Sequence, residues 1–209
     1  MRVIGGQAGG RRLVAPRIAG LRPTSDRVRE AMFDILDARG LVEGAVVVDL
    51  FAGSGALGIE ALSRGASSVT FVERDPRALR AIDANLAGTG FSSGSRVAAR
   101  ALATQTDDPG LPTVKVRRTD VEAWLELYAA APVDLVLADP PYEWKGWQLL
   151  FRRCAACCML LEHRDPLEAG GSYEISRQYR YGGTLVTLVR DKRHSAAADE
   201  PDSSDKDSF

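Results

Sequence analysis

The chain has 209 residues, of which 45% are hydrophobic and 26% are charged, and its formal net charge is -1 at pH 7. These values are those of an ordinary globular protein and allow one sizeable catalytic domain with its own core. The amino terminus lacks the apolar run of a signal peptide, and no apolar stretch approaches the ~20 residues that span a bilayer. We therefore expect a cytoplasmic protein, not a secreted or membrane-spanning one.

The small net charge conceals an uneven distribution along the chain. The first thirty residues hold seven arginines and two acidic residues, whereas residues 194–209 hold five acidic residues and one lysine. An arginine-rich segment suits contact with a phosphate backbone, and the alternative is a solvated arginine-rich surface. We expect the acidic tail, residues 194–209, to be disordered.

The amino-terminal pattern predicts a β-hairpin arm. Two glycine pairs, Gly5-Gly6 and Gly9-Gly10, separate the apolar pairs Val3-Ile4 and Leu13-Val14. Short apolar pieces around glycine turns are typical of a hairpin. We expect residues 1–20 to be an appendage to the core.

The rest of the chain alternates strand and helix signals, which predicts a mostly parallel sheet covered by helices. A helix that Thr24 or Ser25 caps and Gly40 ends comes first. Residues 88–113 fit no element, and the segment after Tyr142 is short enough that we expect a truncated fifth strand. The predicted strands are 46–51, 69–72, 114–116, 134–138, 159–162 and a terminal antiparallel pair, 173–176 and 184–189; the predicted helices are 56–64, one opened by Pro76, 121–130 and 148–158.

A glycine-rich segment joins the first predicted strand to its helix. The run Gly53-Ser54-Gly55-Ala56-Leu57-Gly58 permits a tight turn and close approach of a ligand to the backbone. Glu73 ends the next strand, where a carboxylate can bind both ribose hydroxyls of NAD or of adenosylmethionine. Asp49 favours adenosylmethionine, because a carboxylate there would attract an ammonium group and repel a pyrophosphate. The alternative is that Asp49 bonds nearby backbone amides.

The strongest signal is Asp139-Pro140-Pro141-Tyr142 at the end of the fourth strand, where open parallel sheets bind ligands. Prolines have no N–H to donate, so their turn leaves carbonyl acceptors beside a carboxylate. Acceptors on both hydrogens of an aromatic amine localise the nitrogen lone pair for attack on a methyl group. Tyr142 would stack on a base drawn out of its helix. The alternative is a proline-kinked loop with an incidental carboxylate.

The cysteines do not predict a metal site. Cys154, Cys157 and Cys158 crowd into one apolar segment, and a second ligand pair is missing. Three cysteines in such a cluster do not form a disulfide framework either. We expect them to pack in the core, and we expect no metal.

These motifs resemble known families. The segments from Asp49 to Gly55 and from Asp139 to Tyr142 resemble the amino-methyltransferases. The segment from Arg22 to Glu30, the glycine pairs ahead of Arg11 and Arg12, and residues 181–184 resemble the bacterial 16S rRNA guanine-N2 methyltransferase D family. The resemblance extends to about residue 190, apart from 88–113.

The resemblance implies a fold, a reaction and a set of site residues. The fold would be a Rossmann-like class I methyltransferase sheet in residues 21–193, doubly wound, with a carboxyl-terminal antiparallel pair. The protein, as a monomer, would transfer methyl from adenosylmethionine to a guanine N2 in 16S rRNA or the 30S subunit. The guanine would be held by Asp139, Pro140, Pro141 and Tyr142, RNA phosphates by Arg2, Arg11, Arg12, Arg22, Arg27 and Arg29, and the cofactor by Asp49, Phe51, Gly53, Ser54, Gly55, Leu57, Gly58, Glu73, Asp120 and Val121.

Other functions stay open at this point. Methylation of adenine N6 in DNA or RNA would use the same acceptors, as would methylation of a protein glutamine, although the latter does not need an arginine-rich arm. A non-catalytic RNA-binding protein with a vestigial pocket would not need Asp49, Glu73, Asp139 and Tyr142. A dehydrogenase would need an acid-base group, and both histidines lie far from the motifs in sequence.

Overall fold

Apolar strands at the centre of the fold form one sheet between two layers of helices. The structure is a computed structural model that describes residues 1–16, 26–91, 95–97, 112–128 and 131–195. The strands are β1 (Val46–Leu50), β2 (Ser68–Glu73), β3 (Ser95–Val97), β4 (Thr113–Arg118), β5 (Val133–Ala138), β6 (Ala156–His163), β7 (Tyr173–Tyr181) and β8 (Thr184–Asp191). The helices are α1 (Asp26–Asp37), α2 (Ala56–Ser63), α3 (Pro76–Thr89), α4 (Val121–Tyr128), α5 (Trp147–Arg153) and α6 (Lys192–Ser195).

The strand order places β1 near the middle of the sheet. Within the described ranges the order is β3-β4-β2-β1-β5-β6-β8-β7. The first six strands in this order are parallel, whereas β8 is antiparallel to both β6 and β7. The chain continues from β1 to β2 on one side and later returns to β5 on the other side, so the loops after β1, β2 and β5 meet at a switch point where ligands bind in such sheets.

Each face of the sheet has its own core. Val47 of β1 packs in the core beneath α1, α2 and α3, and Val48 packs in the opposite core beneath α4 and α5. Side chains alternate across a strand, so a strand that is buried on both faces is apolar throughout. This explains why β1 and β5 are nearly continuous apolar runs.

The amino-terminal arm forms the predicted hairpin but is not an appendage. The Val3 amide donates to Arg11 O at 2.9 Å, and the Gly10 amide donates to Val3 O at 2.9 Å. Val3, Ala8 and Leu13 are buried in the same core as α1 and α2. The prediction that the arm lies outside the core is wrong, because the hairpin brings these apolar side chains into the core, where they leave water.

A buried carboxylate fastens the arm to α2. The two oxygens of Glu60 accept the amides of Ile4 and Gly5 at 2.7 and 2.8 Å. The same carboxylate accepts Arg64 Nε at 2.8 Å and lies 3.8 Å from Arg29 Nε. Arg29 is fully buried and also donates to Arg2 O. The prediction that Arg29 contacts RNA phosphate is therefore wrong, because its guanidinium is enclosed beneath the arm.

The largest difference from the predicted elements lies around α5 and β6. The predicted helix 148–158 ends at Arg153, and β6 is eight residues long instead of truncated. Tyr173 explains the change, because its hydroxyl donates to Cys154 O at 2.7 Å and accepts the Ala156 amide at 2.9 Å. These bonds hold the chain extended where sequence periodicity alone is ambiguous.

Other predicted features need smaller corrections or lie outside the described residues. Strand β3 lies in the segment 88–113, for which no element was predicted. The caps Thr24 and Ser25 and the tail from residue 196 fall outside the described ranges. In the part of the chain that the structure describes, no helix is long and apolar enough to cross a membrane, and no cluster of histidine, cysteine, aspartate or glutamate could hold a metal.

Candidate active site

Three carboxylates meet at the carboxyl edge of the sheet. Asp49 lies in β1, Glu73 ends β2, and Asp139 follows β5. Because Leu50 pairs with Val72 on one side and with Ala138 on the other, the three strands end at the same level. The sequence predicted these side chains separately, and the sheet brings them together.

The turn after β1 contains residues in the left-handed region. Gly53 and Gly55 have φ of 56° and 78°, which glycine adopts without strain. Phe51 has φ of 59°, a conformation that is costly for a bulky side chain and is found mostly at functional sites. This backbone directs the Phe51 ring against Trp144, with ring centroids 4.9 Å apart.

The Glu73 carboxylate braces this turn. One of its oxygens accepts the Gly53 amide at 2.8 Å, and the other accepts the amides of Arg74 and Asp75 at 2.7 and 2.8 Å. The side chain is half-buried. Each carboxylate oxygen can accept two hydrogen bonds, so acceptor capacity is left on the Gly53 side. Glu73 can hold a ligand hydroxyl while it fixes the glycine-rich turn.

Asp49 is buried with one oxygen engaged and the other without a partner. Its Oδ2 accepts the Gly58 amide at 2.8 Å, whereas Oδ1 has no hydrogen-bond partner among the described residues. Burial raises the pKa of Asp49 to about 8, and the negative charges of Asp139 and Glu73 add to the effect. Bonding to a backbone amide was the alternative that the sequence left open, and the structure shows it for one oxygen only. A buried acceptor without a partner is costly, and a cation bound there would satisfy it.

Two residues of the glycine-rich run, Leu57 and Gly58, are packed in the interior. A Cβ on Gly58 would lie 2.3 Å from Phe71 Cε1, so this glycine lets α2 pack tightly on β2. Its amide is already taken by Asp49. Gly58 therefore has a packing role, and Leu57 is likewise part of the core. Contact of these two residues with a cofactor stays a prediction. Gly53 and Ser54 stay half-buried at the edge.

Asn85 ties the arm to the glycine-rich turn. Its amide oxygen accepts the Val14 amide at 2.7 Å, and its amide nitrogen donates to Val14 O at 2.9 Å and to Ser54 O at 2.8 Å. Asn85 lies in α3 and is buried. One side chain therefore fixes both the end of the arm and the turn, a role that sequence patterns did not reveal.

The segment after β5 forms one wall of a cavity of about 140 Å³. Pro140 is buried, Asp139 and Tyr142 are half-buried, and the Trp144 amide donates to Pro141 O at 2.9 Å, which closes the turn. Residues at and after the end of β6 also line the cavity. The cavity is lined by Pro140, Pro141, Tyr142, Trp144, Lys145, Trp147, His163, Arg164, Asp165 and Pro166.

Aromatic rings connect the two motifs. The row runs from Phe51 to Trp144, then to Trp147 at 4.7 Å and to His163 at 6.0 Å between ring centroids. The Trp144 indole N–H also donates to Glu122 of α4. Sequence analysis did not single out Trp144 or Trp147, although two tryptophans in a polar loop after the proline turn are a usable signal for a stacking surface.

His163 lies in the cavity, which the sequence did not predict. One ring nitrogen, Nδ1, lies 2.7 Å from Asp165 O, and Nε2 lies 2.7 Å from Thr187 Oγ1. A carbonyl only accepts, so Nδ1 carries the proton and Nε2 accepts from the threonine hydroxyl. Burial lowers the pKa of His163, which favours this neutral form. Both nitrogens are occupied, so His163 anchors the loop instead of moving protons.

The residues predicted for the adenine side lie at the end of β4. Asp120 pairs with Arg74 at 3.1 Å and accepts the Glu122 amide at 3.0 Å. Hydrogen bonding to Glu122, together with Arg74, lowers the pKa of Asp120, so it is an anion at neutral pH. Val121 is buried in the core beneath α4. Contact of these residues with a cofactor stays a prediction.

The predicted phosphate contacts divide between surface and interior. Arg2, Arg11 and Arg12 are exposed on the arm, and Arg27 is exposed on α1. Arg29 is the buried exception described above, and Arg22 lies outside the described residues. The exposed set keeps positive charge on the arm, beside the turn that Asn85 holds.

The strand order, the acidic glycine-rich turn after β1 and the Asp-Pro-Pro-Tyr turn after β5 define a Rossmann-like class I methyltransferase fold, as predicted. The chain belongs to the family described as Conserved hypothetical protein 95, whose model matches residues 1–189. Together with the named relatives below, this membership confirms the family that the motifs suggested.

Named relatives and solved structures agree with this assignment. The Bacillus subtilis (strain 168) protein YlbH, named as a candidate rRNA methyltransferase, is 46% identical over 91% of this chain and 98% of its own. The Escherichia coli (strain K12) protein "Ribosomal RNA small subunit methyltransferase D" is 49% identical over 42% of this chain, a match that spans only 43% of that protein. The structure of Escherichia coli yhhF, described as a candidate methyltransferase, has a TM-score of 0.70 at 29% identity and covers 91% of this chain and 97% of its own.

Proposed function

We propose that this protein transfers a methyl group from S-adenosylmethionine to the exocyclic N2 of a guanine in 16S rRNA of the small ribosomal subunit. The observation that carries the proposal is the pairing of Asp139-Pro140-Pro141-Tyr142 with Asp49 and Glu73 at one edge of the sheet. The names of the YlbH and Escherichia coli relatives support an rRNA substrate.

The residues at this edge fit adenosylmethionine better than a dinucleotide. The cofactor carries an ammonium group and a sulfonium, and the latter supplies the methyl group as an electrophile. Asp49 offers a buried oxygen without a partner, and Glu73 and Asp139 make the surroundings negative. The negative charges of Glu73 and Asp139 would repel a pyrophosphate, which argues against a dehydrogenase. Glu73 would accept ribose hydroxyls with its remaining acceptor capacity.

The turn after β5 supplies what an aromatic amine needs. Asp139 and the carbonyl of Pro140 would accept the two N2 hydrogens and orient the nitrogen lone pair toward the methyl group. Tyr142 would stack on the flipped base. No general base is required, because the amine proton becomes acidic once the nitrogen is methylated and can leave to water or to Asp139.

The arm would provide the RNA surface. Arg2, Arg11 and Arg12 are exposed there, and Arg27 is exposed on α1. Contacts to phosphate give affinity without sequence preference, so target choice must come from the base pocket and from RNA shape. A protein with this substrate would act in the cytoplasm, and we expect a monomer.

The test is transfer of radiolabelled methyl from adenosylmethionine to 30S subunits from cells that lack the family's enzyme, followed by nucleoside analysis. We expect label in N2-methylguanosine. Label in N6-methyladenosine would keep the mechanism but move the substrate to adenine, and absence of label in RNA would contradict the proposal. Asp139→Ala should abolish transfer while cofactor binding persists; near-normal turnover would refute the role of Asp139.

The role of the arm has a separate test. Replacing both Arg11 and Arg12 with alanine should weaken RNA binding severalfold and reduce its salt dependence, because phosphate contacts release counterions. Affinity for adenosylmethionine should not change. Arg152→Ala removes an exposed arginine on α5, away from the arm, and is the matched control. Loss of both RNA and cofactor binding would indicate misfolding, and unchanged RNA binding would exclude the arm as the RNA surface.

A further inference from the structure

Arg164 occupies the surface on which a base would stack. Its guanidinium carbon lies 3.6 Å from the centroid of the Tyr142 ring. Both residues line the cavity after β5. The planar guanidinium therefore covers the ring of the Asp-Pro-Pro-Tyr turn, much as a planar base would.

Arg164 is the cation of this cavity without a carboxylate partner among the described residues. The other cavity cation, Lys145, lies 3.3 Å from Asp165. Arg164 is adjacent to Asp165 in the chain but stacks on Tyr142 instead of pairing with it. At an exposed position a cation–π contact is weak, so an incoming base can displace the guanidinium.

The backbone beneath Arg164 is held firmly. His163 precedes it, is buried, and bonds Asp165 O through Nδ1 at 2.7 Å and Thr187 through Nε2 at 2.7 Å. Thr187 in turn accepts Gln178 Nε2 at 3.0 Å. Because residues on both sides of Arg164 are fixed, its side chain can move while its Cα stays beside the cavity.

We propose that Arg164 determines the choice of guanine over adenine. The base takes the place of the guanidinium on Tyr142, and the displaced guanidinium donates to O6 and N7 of the base. Arginine donates two parallel hydrogen bonds to this pair of acceptors in guanine, whereas adenine presents an amino donor at the position of O6. This inference rests on the proposed function, since it names how the same site selects its base.

The geometry of guanine suits this arrangement. Its N2 and its O6 lie on opposite sides of ring atom N1, so an N2 held by Asp139 and Pro140 directs O6 away from that turn. The lining of the cavity beside the turn includes His163, Arg164 and Asp165. Of these, His163 has both nitrogens occupied and Asp165 is an acceptor, which leaves Arg164 as the donor for O6 and N7.

The test uses base analogues that lack either O6 or N7; the analogue without O6, 2-aminopurine, also lacks the N1 hydrogen of guanine. After the nucleotide methylated by the wild-type protein has been mapped, 16S rRNA is ligated with guanine, 2-aminopurine or 7-deazaguanine at that position and assembled into 30S subunits. 2-Aminopurine keeps the N2 amine but lacks O6, and 7-deazaguanine lacks N7. We expect the wild-type protein to prefer guanine over 2-aminopurine by about tenfold to hundredfold in kcat/KM, and over 7-deazaguanine by less.

Arg164→Ala should lose this preference, with kcat/KM for guanine falling to near that for 2-aminopurine. Arg164→Lys keeps the charge without the planar fork and should restore only part of it. Affinity for adenosylmethionine should not change in either variant, and Arg152→Ala should retain the wild-type preference. An Arg164→Ala protein that keeps the wild-type ratio, or a wild-type protein without any preference, would overturn the inference while guanine methylation stands. Failure of the wild-type protein to label guanine would instead refute the proposed function.

Discussion

Two buried carboxylates of the molecule differ in how completely they are satisfied. Glu60, under the arm, uses both oxygens to accept two backbone amides and lies against two arginines. Asp49, at the edge of the sheet, has one oxygen on the Gly58 amide and one without a partner among the described residues. The Glu60 carboxylate therefore stabilises the fold, whereas the Asp49 side chain has an oxygen available to a ligand.

Removing the Glu60 carboxylate should have the largest effect. Glu60→Ala leaves the buried Arg29 guanidinium with only the half-exposed Asp26 as a counter-charge, and it leaves the Ile4 and Gly5 amides without an acceptor. Breaking a buried pair in this way costs about 3–5 kcal/mol. We expect a loss of this size in the free energy of unfolding, measured by urea denaturation.

The control for this variant is Glu126→Ala. Glu126 pairs with Arg153 at 2.7 Å, but both side chains are about half exposed. Exposed pairs contribute about 0–1 kcal/mol. If Glu60→Ala lowered the free energy of unfolding no more than Glu126→Ala does, Glu60 would not be the residue that holds the arm on α2. The contrast between Glu60 and Asp49 would then be lost.

Asp49 should couple cofactor binding to pH. Its pKa is about 8 in the ligand-free protein, so it keeps its proton at pH 7, and a bound cation requires the ionised form. Binding of adenosylmethionine should therefore release close to one proton at pH 7. Affinity should rise with pH by up to about tenfold per unit and level off above pH 8. Calorimetry in buffers of different ionisation enthalpy measures both quantities.

The same group should affect the stability of the ligand-free protein in the opposite sense. The unfolded carboxyl ionises near pH 3.8 and the folded one near 8, so its contribution to stability is complete below pH 3.8 and is lost as pH rises toward 8. Asp49→Asn should remove both the proton release and this decline. Asp75→Asn is the control, because pairing with Arg77 lowers the pKa of Asp75 to about 2 and asparagine still caps α3. Unchanged proton release in Asp49→Asn would contradict the assignment.

The smallest expected effect concerns the reactivity of the buried cysteines. Burial raises the pKa of the Cys154 and Cys158 thiols to about 12, whereas Cys157 is only half-buried. Because the thiolate is the reactive form, we expect at most one thiol to react with a disulfide reagent at pH 8 in the native protein. All three should react after unfolding in urea. Rapid reaction of two or more native thiols would show that the core around β6 opens easily.

Local patterns predicted the centre of the sheet and half of the site. The glycine-rich turn and the Asp-Pro-Pro-Tyr turn are contiguous motifs at strand ends, so the ends of β1, β2 and β5 could be located from the sequence. Arg29 could not be interpreted in this way, because its burial depends on Glu60 in another helix. The spacing of arginines along a chain does not reveal which one meets a buried acid.

The other half of the site was missed because its residues belong to no contiguous motif. Residues 154–158 have a pattern compatible with helix or strand, and the bonds from Tyr173 decide between them. A β6 that ends at His163 places Arg164 at the same edge as Tyr142. The predicted strand 159–162 ended one residue before β6 does, but no motif marked Arg164 as a neighbour of Tyr142.

The Asn85 clamp has a consequence for the order in which the chain assembles. Asn85 is 71 residues from Val14, and Glu60 is 56 residues from Ile4. Contacts over such separations close late, after local helices and turns have formed. The arm can therefore make these contacts only after α2 and α3 have been synthesised. The segment proposed to meet RNA thus takes its final position only once residues far along the chain have joined it.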